Sequence, residues 1–75
     1  MKKEILSILI DINPGVDFEN EINIVENGLL DSLDLIRLVS QLEEVFSISI
    51  DSSDIIPDNF KGLNEIEHLV MKYKV

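Results

Sequence analysis

Ser32 is the side chain in this sequence best placed for covalent chemistry, because it stands beside acidic residues at the expected start of a helix. Asp31 can act as the N-cap residue, and Asp34, three residues on, occupies the acidic position of a capping box. Capping then employs both carboxylates and leaves the Ser32 hydroxyl free. An anionic group attached to that hydroxyl would face unsatisfied backbone N–H groups and the positive end of the helix dipole. A phosphodiester fits this position.

The rest of the sequence offers little for catalysis or metal binding. It contains no cysteine and a single histidine, His68, on the polar side of the last predicted helix, so a Ser/His/Asp arrangement and a thiolate site are both unsupported. Asp51, Asp54 and Asp58 lack the glycine and the terminal glutamate that a calcium loop requires at matching spacing. We therefore predict no catalytic residues, no metal site and no enzyme activity. Any thioester chemistry must take its sulfur from a cofactor.

Length and charge restrict the class of protein. A chain of 75 residues is enough for one small domain with one modest core, and we expect residues 1–75 to form it. The net charge of −9 disfavours nucleic acid as a partner and favours partners with basic docking surfaces. Glu4, Ser7 and Asp11 interrupt the first apolar run well before the length of a signal peptide or a membrane span. We expect a cytoplasmic monomer without membrane insertion.

Hydrophobic spacing predicts an all-α fold, a small four-helix bundle of three main helices and one short helix. The main helices run from Lys3 to about Ile12, from about Ser32 to Phe46 and from about Gly62 to Tyr73, and the short one covers residues 53–56 before Pro57. The side chains expected to face the core are Ile5, Leu6, Leu9 and Ile12 in the first helix, Leu35, Leu38, Val39, Leu42 and Phe46 in the second, and Phe60, Leu63, Ile66, Leu69, Val70 and Tyr73 around the last.

The connection between the first two main helices, residues 16–30, is interpreted as an ordered loop. It is too long to be ordered without contacts to the core. A strand over residues 21–25 is the competing interpretation, but the sequence offers no obvious second strand to pair with it. The loop side chains expected to pack inward are Val16, Phe18, Ile22, Ile24 and Leu29.

The run Asp31-Ser32-Leu33 resembles the signature of the acyl and peptidyl carrier proteins, whose second helix begins with a serine that bears a phosphopantetheine arm. The resemblance covers nearly the whole chain, from the first amphipathic helix through Gly28-Leu29-Leu30 and Leu42-Glu43-Glu44-Val45-Phe46 to Ile48-Ser49-Ile50 and the last helix. It implies that a phosphopantetheinyl transferase attaches 4′-phosphopantetheine from coenzyme A to Ser32, and that the thiol of this cofactor holds an acyl or aminoacyl thioester. It further implies that Asp31 helps the transferase bind its metal and substrate. Other implied partners are acyl- or aminoacyl-loading ligases, synthases or transferases.

Two apolar residues of the second helix, Leu33 and Ile36, fall off the buried stripe at about 100° per residue and should be largely exposed. The resemblance makes their side of the helix a surface for partner enzymes, and the alternative is an ordinary solvated face with two isolated apolar residues. Arg37 stands where carriers of fatty acid synthesis typically have an acid, and its alternative role is a helical pair with Asp34. The residues assigned to this surface are Leu33, Asp34, Ile36, Arg37, Glu43 and Glu44.

The residues around Ser32 give opposing indications of the cargo. The run Gly28-Leu29-Leu30-Asp31-Ser32 is similar to free-standing carriers of specialised pathways, including the D-alanyl carriers of cell-wall modification. Leu33-Asp34 is instead similar to the fatty-acid type, and D-alanyl carriers usually have Phe after the serine. We therefore expect a specialised acyl or aminoacyl carrier. The alternatives are a carrier of general fatty acid synthesis, a D-alanyl carrier and, from another class, an unmodified helical interaction module.

Overall fold

Three α-helices form the fold of this protein, whose structure, a computed structural model, describes residues 1–74. Helix α1 spans Lys2–Ile12, α2 spans Ser32–Phe46 and α3 spans Leu63–Tyr73. Two short turns of 3₁₀ helix, Ser52–Asp54 and Pro57–Phe60, lie between α2 and α3. Helix α1 packs against both α2 and α3, and the Pro57–Phe60 turn packs against α3. The expected all-α fold is confirmed, with the fourth helix reduced to these 3₁₀ turns.

One apolar core holds the helices together. Within residues 1–74 no polar or charged residue is buried, so burial of apolar surface is the main stabilising term. The predicted stripe of α2 is confirmed, with Leu35 only partly buried, and in α1 the structure adds Ile8 to the core while Leu6 and Ile12 are partly buried. The buried residues are Ile5, Ile8, Leu9, Phe18, Ile24, Leu30, Leu38, Val39, Leu42, Phe46, Ile50, Phe60, Ile66, Leu69 and Val70.

The connection between α1 and α2 is a loop built of turns, as expected, and no strand forms in it or elsewhere in the described chain. Phe18 and Ile24 are buried as predicted, and Val16 and Leu29 pack against the core. The expectation for Ile22 was wrong, because its side chain is exposed to solvent. Leu30 is buried in its place, next to the start of α2. A loop has no fixed period, so which apolar residue faces inward depends on the turns that the backbone makes.

The short helix expected at residues 53–56 is also different in the structure. The first 3₁₀ turn ends at Asp54, Ile56 is extended with φ −128° and ψ 152°, and Pro57 begins a second turn. Proline disfavours helical backbone at the residue before it and is well tolerated in a first turn. Pro57 therefore divides one expected helix into two turns.

Polar contacts fasten the first 3₁₀ turn to the end of α3. Lys72 Nζ donates a hydrogen bond to Asp54 Oδ2 at 2.8 Å, and the Tyr73 hydroxyl donates to the same oxygen. The Tyr73 oxygen in turn accepts the backbone N–H of Asp51 at 3.2 Å. Lys72 first, and then Tyr73, holds the pKa of Asp54 below its ordinary value of 3.8. Donation to Asp54 raises the pKa of Tyr73 above its ordinary value of 10.0.

None of the helices in residues 1–74 has the length and apolar character needed to cross a membrane.

Because α2 has a buried and an exposed side, the same Leu→Ala substitution should change the free energy of unfolding very differently on the two sides. Leu38 is 0% exposed and Leu33 is 57% exposed. We expect Leu38→Ala to lower the free energy of unfolding by about 2–5 kcal/mol, because it leaves a cavity in the core. Leu33→Ala should lower it by less than about 1 kcal/mol. Urea unfolding at pH 7, followed by circular dichroism, measures both, and equal losses would place Leu33 in the core.

The contacts of Asp54 predict a stability term that depends on pH. Its pKa is lowered in the folded state, so the ionised form is the one that the fold stabilises. This contribution is present above the ordinary value of 3.8 and is lost as the pH falls through the lower folded value. We expect Asp54→Asn to melt below the native protein at pH 7 and the difference to disappear in acid. Asp11→Asn, which changes an exposed acid of α1, is the matched control, and a difference for Asp54→Asn that is constant with pH would contradict the assignment.

Candidate functional site

A reciprocal capping box fixes the first turn of α2. Asp31 is the N-cap residue, and its Oδ1 accepts the backbone N–H of Asp34 at 2.8 Å. Asp34 Oδ2 accepts the backbone N–H of Asp31 at 3.4 Å. The expected cap is therefore present, and each aspartate satisfies an N–H group that the start of a helix leaves without an intrahelical partner.

Ser32 lies inside this cap and is exposed to solvent. Its hydroxyl makes no hydrogen bond within the described residues. The backbone N–H groups of Ser32 and Leu33 likewise have no acceptor in that part of the chain. An exposed hydroxyl beside two free N–H groups can accept a covalent phosphodiester without breaking an existing contact. The positive end of the helix dipole favours the negative charge of such a group.

The segment before Ser32 is held by contacts that join three parts of the fold. The side-chain amide of Asn13, at the end of α1, donates to the Leu29 carbonyl at 2.8 Å. The Ile24 carbonyl accepts the N–H groups of Leu29 and Leu30, at 2.9 and 3.2 Å. Leu30 is itself buried, which fixes the chain one residue before the N-cap. The position of Ser32 is therefore set by the core and by the loop as well as by α2.

Sequence reasoning missed two of these anchors. No contact was predicted for Asn13, and Leu30 was not among the residues expected in the core. A signal for Leu30 was present, since an apolar residue before the N-cap and another at the fourth helical position, here Leu35, match a hydrophobic staple. No comparable signal exists for Asn13, because its contact with Leu29 joins residues 16 positions apart.

The structure divides the six residues assigned to the partner surface into two groups. Leu33 and Ile36 are 57% and 61% exposed, and Arg37 and Glu44 are exposed beside them. These four residues are called the docking face below. They start at Leu33, next to Ser32, and extend to Glu44, about 17 Å along the axis of α2 at 1.5 Å per residue.

Asp34 and Glu43, the other two residues, hold the ends of α2. The Asp34 carboxylate belongs to the capping box, and Glu43 Oε2 accepts the backbone N–H of Ile50 at 2.8 Å. The pair with Asp34, the alternative role considered for Arg37, does not form, since none of the ion pairs of the described residues includes Arg37. The guanidinium of Arg37 is thus available on the docking face.

A small helical domain whose longest helix begins with an exposed, unbonded serine hydroxyl has the arrangement expected of a phosphopantetheine carrier domain. The family model described as phosphopantetheine attachment site matches residues 3–70, and the chain belongs to this family. The prosthetic group of the protein is accordingly 4′-phosphopantetheine. The proteins of this family carry substrates for other enzymes and are not themselves catalytic.

Curated relatives agree with the family assignment. The chain is 29% identical to a D-alanyl carrier protein of Lactococcus lactis subsp. lactis over 76 residues, which cover 99% of this chain and 96% of the relative. It is 31% identical to a D-alanyl carrier protein of Lactococcus lactis subsp. cremoris over 68 residues, which cover 88% and 86% of the two chains. No solved structure matches the chain. The resemblance to carrier proteins stated from the sequence is thus confirmed.

Proposed function

We propose that Ser32 carries the 4′-phosphopantetheine group and that the chain, as one carrier domain over residues 1–75, holds an aminoacyl or specialised acyl group on the thiol of this cofactor. The observation that supports Ser32 most strongly is its exposed hydroxyl, free of intramolecular hydrogen bonds, inside a cap made by its neighbours Asp31 and Asp34. When bound, the cofactor supplies a thiol, which this cysteine-free chain lacks. The chain itself supplies a fixed attachment point that raises the effective concentration of the cargo at partner enzymes.

An aminoacyl cargo is favoured over a fatty acyl cargo by two observations. The matched relatives are named D-alanyl carrier proteins, and the match with one of them covers almost the whole chain. In addition, Arg37 places an unpaired positive charge on the docking face, where carriers of fatty acid synthesis typically have an acid. Leu33 argues against a D-alanyl cargo, because D-alanyl carriers usually have Phe after the serine. The fatty acyl carrier therefore stays the second candidate.

The partners proposed are a phosphopantetheinyl transferase and an adenylating ligase that loads the thiol, both working in the cytoplasm. We propose that they bind through the docking face, Leu33, Ile36, Arg37 and Glu44. Its side chains begin beside the attachment point and lie outside the core, so they are free to contact a partner without loss of packing. Asp31 would in addition contribute a carboxylate to the transferase complex. Docking by a small exposed face is weak and reversible, which lets one carrier visit several enzymes.

Modification of Ser32 is tested by intact mass. Incubation of the purified chain with coenzyme A and a broad-specificity phosphopantetheinyl transferase should add one phosphopantetheine group, because the hydroxyl is accessible and free. Ser32→Ala should keep the unmodified mass. Ser7→Ala, which removes an exposed hydroxyl from α1, is the matched control and should be modified like the native chain. An unchanged native mass, with a known carrier modified in parallel, would reject the attachment site and favour the unmodified interaction module.

The docking face is tested by separating loading from stability. Ile36→Ala should reduce the kcat/KM of a partner enzyme by about tenfold or more, as loss of an interface anchor does. Its melting temperature should stay close to that of the native protein, since Ile36 is 61% exposed. Val45→Ala, an exposed apolar residue on another side of α2, is the control and should load normally.

Arg37→Glu tests the cargo on the same face. The change restores the acid typical of fatty-acid carriers and should improve acylation by an enzyme of fatty acid synthesis while it weakens loading by an aminoacyl ligase. Folding should not change, because Arg37 is exposed and makes no ion pair within residues 1–74. If each enzyme loads the native protein and Arg37→Glu equally well, Arg37 does not select partners.

A further inference from the structure

Asn27 is the only asparagine in the sequence that is followed by glycine. Asparagine before glycine loses its side-chain nitrogen as ammonia more readily than asparagine before other residues, because glycine has no side chain to obstruct the attack of its own backbone nitrogen. Asn27 and Gly28 are both exposed, so water and base reach the pair. Whether the reaction proceeds in the folded protein depends on the contacts of the groups that react.

The reaction exchanges one bond for another at the side chain of Asn27. A base removes the proton of the Gly28 backbone N–H, and the nitrogen attacks Cγ of Asn27, the carbon of the side-chain amide. The bond from Cγ to Nδ2 then breaks, and Nδ2 takes up a proton and leaves as ammonia. Water, the only co-reactant, opens the resulting cyclic imide at either carbonyl. Attack at Cγ gives aspartate, and attack at the other carbonyl gives isoaspartate, in which the main chain continues through Cβ and Cγ.

The folded loop holds both reacting groups in hydrogen bonds. The Asn27 side-chain amide donates to the Ile22 carbonyl at 3.1 Å. The Gly28 N–H donates to the Val25 carbonyl at 3.1 Å, and this N–H must lose its proton before the nitrogen can attack. A backbone N–H engaged in a hydrogen bond gives up its proton when that bond opens. The reaction is therefore slow in the closed loop and proceeds when the loop opens.

Opening of this part of the loop does not require the core to unfold. Residues 26–28 are all exposed, whereas Val25 and Leu29 on either side pack against the core. The Asn27 N–H donates to the Asn23 carbonyl at 2.8 Å, so the exposed residues are held by hydrogen bonds rather than by apolar burial. Segments of this kind open locally at a lower free energy than the whole domain. The rate of the reaction should accordingly follow local opening of residues 26–28.

The side chain of either product cannot restore the contact that Asn27 makes. A carboxylate has no hydrogen to donate, so its oxygens would face the Ile22 carbonyl oxygen to which the amide now binds. The new negative charge also lies next to Glu26, and the two like charges repel. Both effects favour the open form of the loop.

The main chain of isoaspartate carries the disturbance towards α2. It contains one more atom than the main chain of asparagine, which lengthens the path from the Ile24 carbonyl to the N–H groups of Leu29 and Leu30. Those N–H groups now donate to that carbonyl at 2.9 and 3.2 Å, and both bonds must shift to accommodate the extra atom. Leu30 immediately precedes the N-cap residue Asp31, so the change reaches the entry to α2.

We propose that Asn27 is a site of spontaneous deamidation, gated by opening of residues 26–28, and that its product loosens the segment that leads into α2. The change is irreversible, because the ammonia is lost. It lies at the base of the segment that positions Ser32. The inference concerns the chain itself and holds whatever group Ser32 carries.

The first experiment follows the native protein during incubation in mildly alkaline buffer, folded and in urea. Tandem mass spectrometry of the peptide that contains Asn27 locates the change, and ion-exchange chromatography detects the added negative charge. We expect Asn27 to convert before any other asparagine, at least about tenfold more slowly in the folded protein than in urea. Asn27→Gln is the control and should not form the new species, because the longer side chain cyclises far less readily.

Two variants distinguish opening of the loop from a general loss of stability. Asn13→Ala removes the hydrogen bond to the Leu29 carbonyl and so releases the residue after Gly28. It should deamidate about three- to tenfold faster than the native protein, since one hydrogen bond changes an opening equilibrium by about this factor. Asp54→Asn weakens the contact between the first 3₁₀ turn and α3 and should leave the rate at Asn27 unchanged.

The consequence for the fold is tested with Asn27→Asp, which reproduces the aspartate product. We expect it to melt about 4–8 °C below the native protein, as loss of one hydrogen bond does in a domain of this size. Its Leu29 and Leu30 amides should exchange hydrogen faster. Asn64→Asp adds the same charge at an exposed residue near the start of α3 and should not melt below the native protein, because a carboxylate is favourable there.

Each part of the inference has an outcome that overturns it. Earlier conversion of another asparagine would reject the site. Equal rates in the folded protein and in urea would reject the gating, as would an unchanged rate in Asn13→Ala or an equal acceleration in Asp54→Asn. If Asn27→Asp melts like Asn64→Asp and keeps the native exchange rates, the loosening is wrong. None of these measurements requires a group on Ser32, so the proposed function stands or fails separately, by the intact-mass test.

Discussion

The structure around Ser32 depends on the position of Ile24. The Ile24 side chain is fully buried, and its two backbone polar groups join parts of the chain that are distant in sequence. Its carbonyl accepts the N–H groups of Leu29 and Leu30, and its N–H donates to the Lys61 carbonyl. A loop of this length would be mobile without such anchors, since loops are the least stable parts of most folds. Burial of Ile24 thus fixes the entry to α2, the entry to α3 and the outward turn at Ile22 together.

The extent of helix α2 could be predicted because independent local signals coincide there. The Asp31 and Asp34 cap marks its start, the apolar stripe from Leu38 to Phe46 marks its buried side, and the expected exposure of Leu33 and Ile36 followed from the same angle per residue. The candidate site was predictable for this reason, since Ser32 and its neighbours belong to one helical turn. Local sequence rules are sufficient to predict a helix where its capping residues and its hydrophobic periodicity agree.

What could not be predicted depends on contacts between distant residues. The reversal of Ile22 relative to Ile24 follows from bonds to Asn27 and Lys61 that no local pattern announces. The contact between Asn13 and Leu29 is of the same kind. Glu43 was assigned to the partner surface by its angle on the helix, whereas its carboxylate binds the Ile50 N–H beyond the end of α2. A helical angle gives the direction of a side chain but does not say whether another segment lies there to bind it.

The charges in the first turn of α2 also bear on how a phosphopantetheine arm proposed for Ser32 could be fixed at its base and make few contacts with the rest of the protein. A phosphodiester on Ser32 would stand beside Asp31 and Asp34 in a chain with a net charge of −9, so repulsion opposes any close contact with its own protein. The free N–H groups of Ser32 and Leu33 and the helix dipole offset this repulsion in the first turn only, because their effect decays within one turn. Both aspartates meanwhile stay engaged in the cap, which keeps the attachment point rigid. On the proposed attachment, the covalent bond would fix the group at Ser32, and nothing further along α2 would retain the arm, because Arg37, the next charge on the docking face, lies more than a turn away. The arm would thus be fixed at one end and free along the rest of the helix.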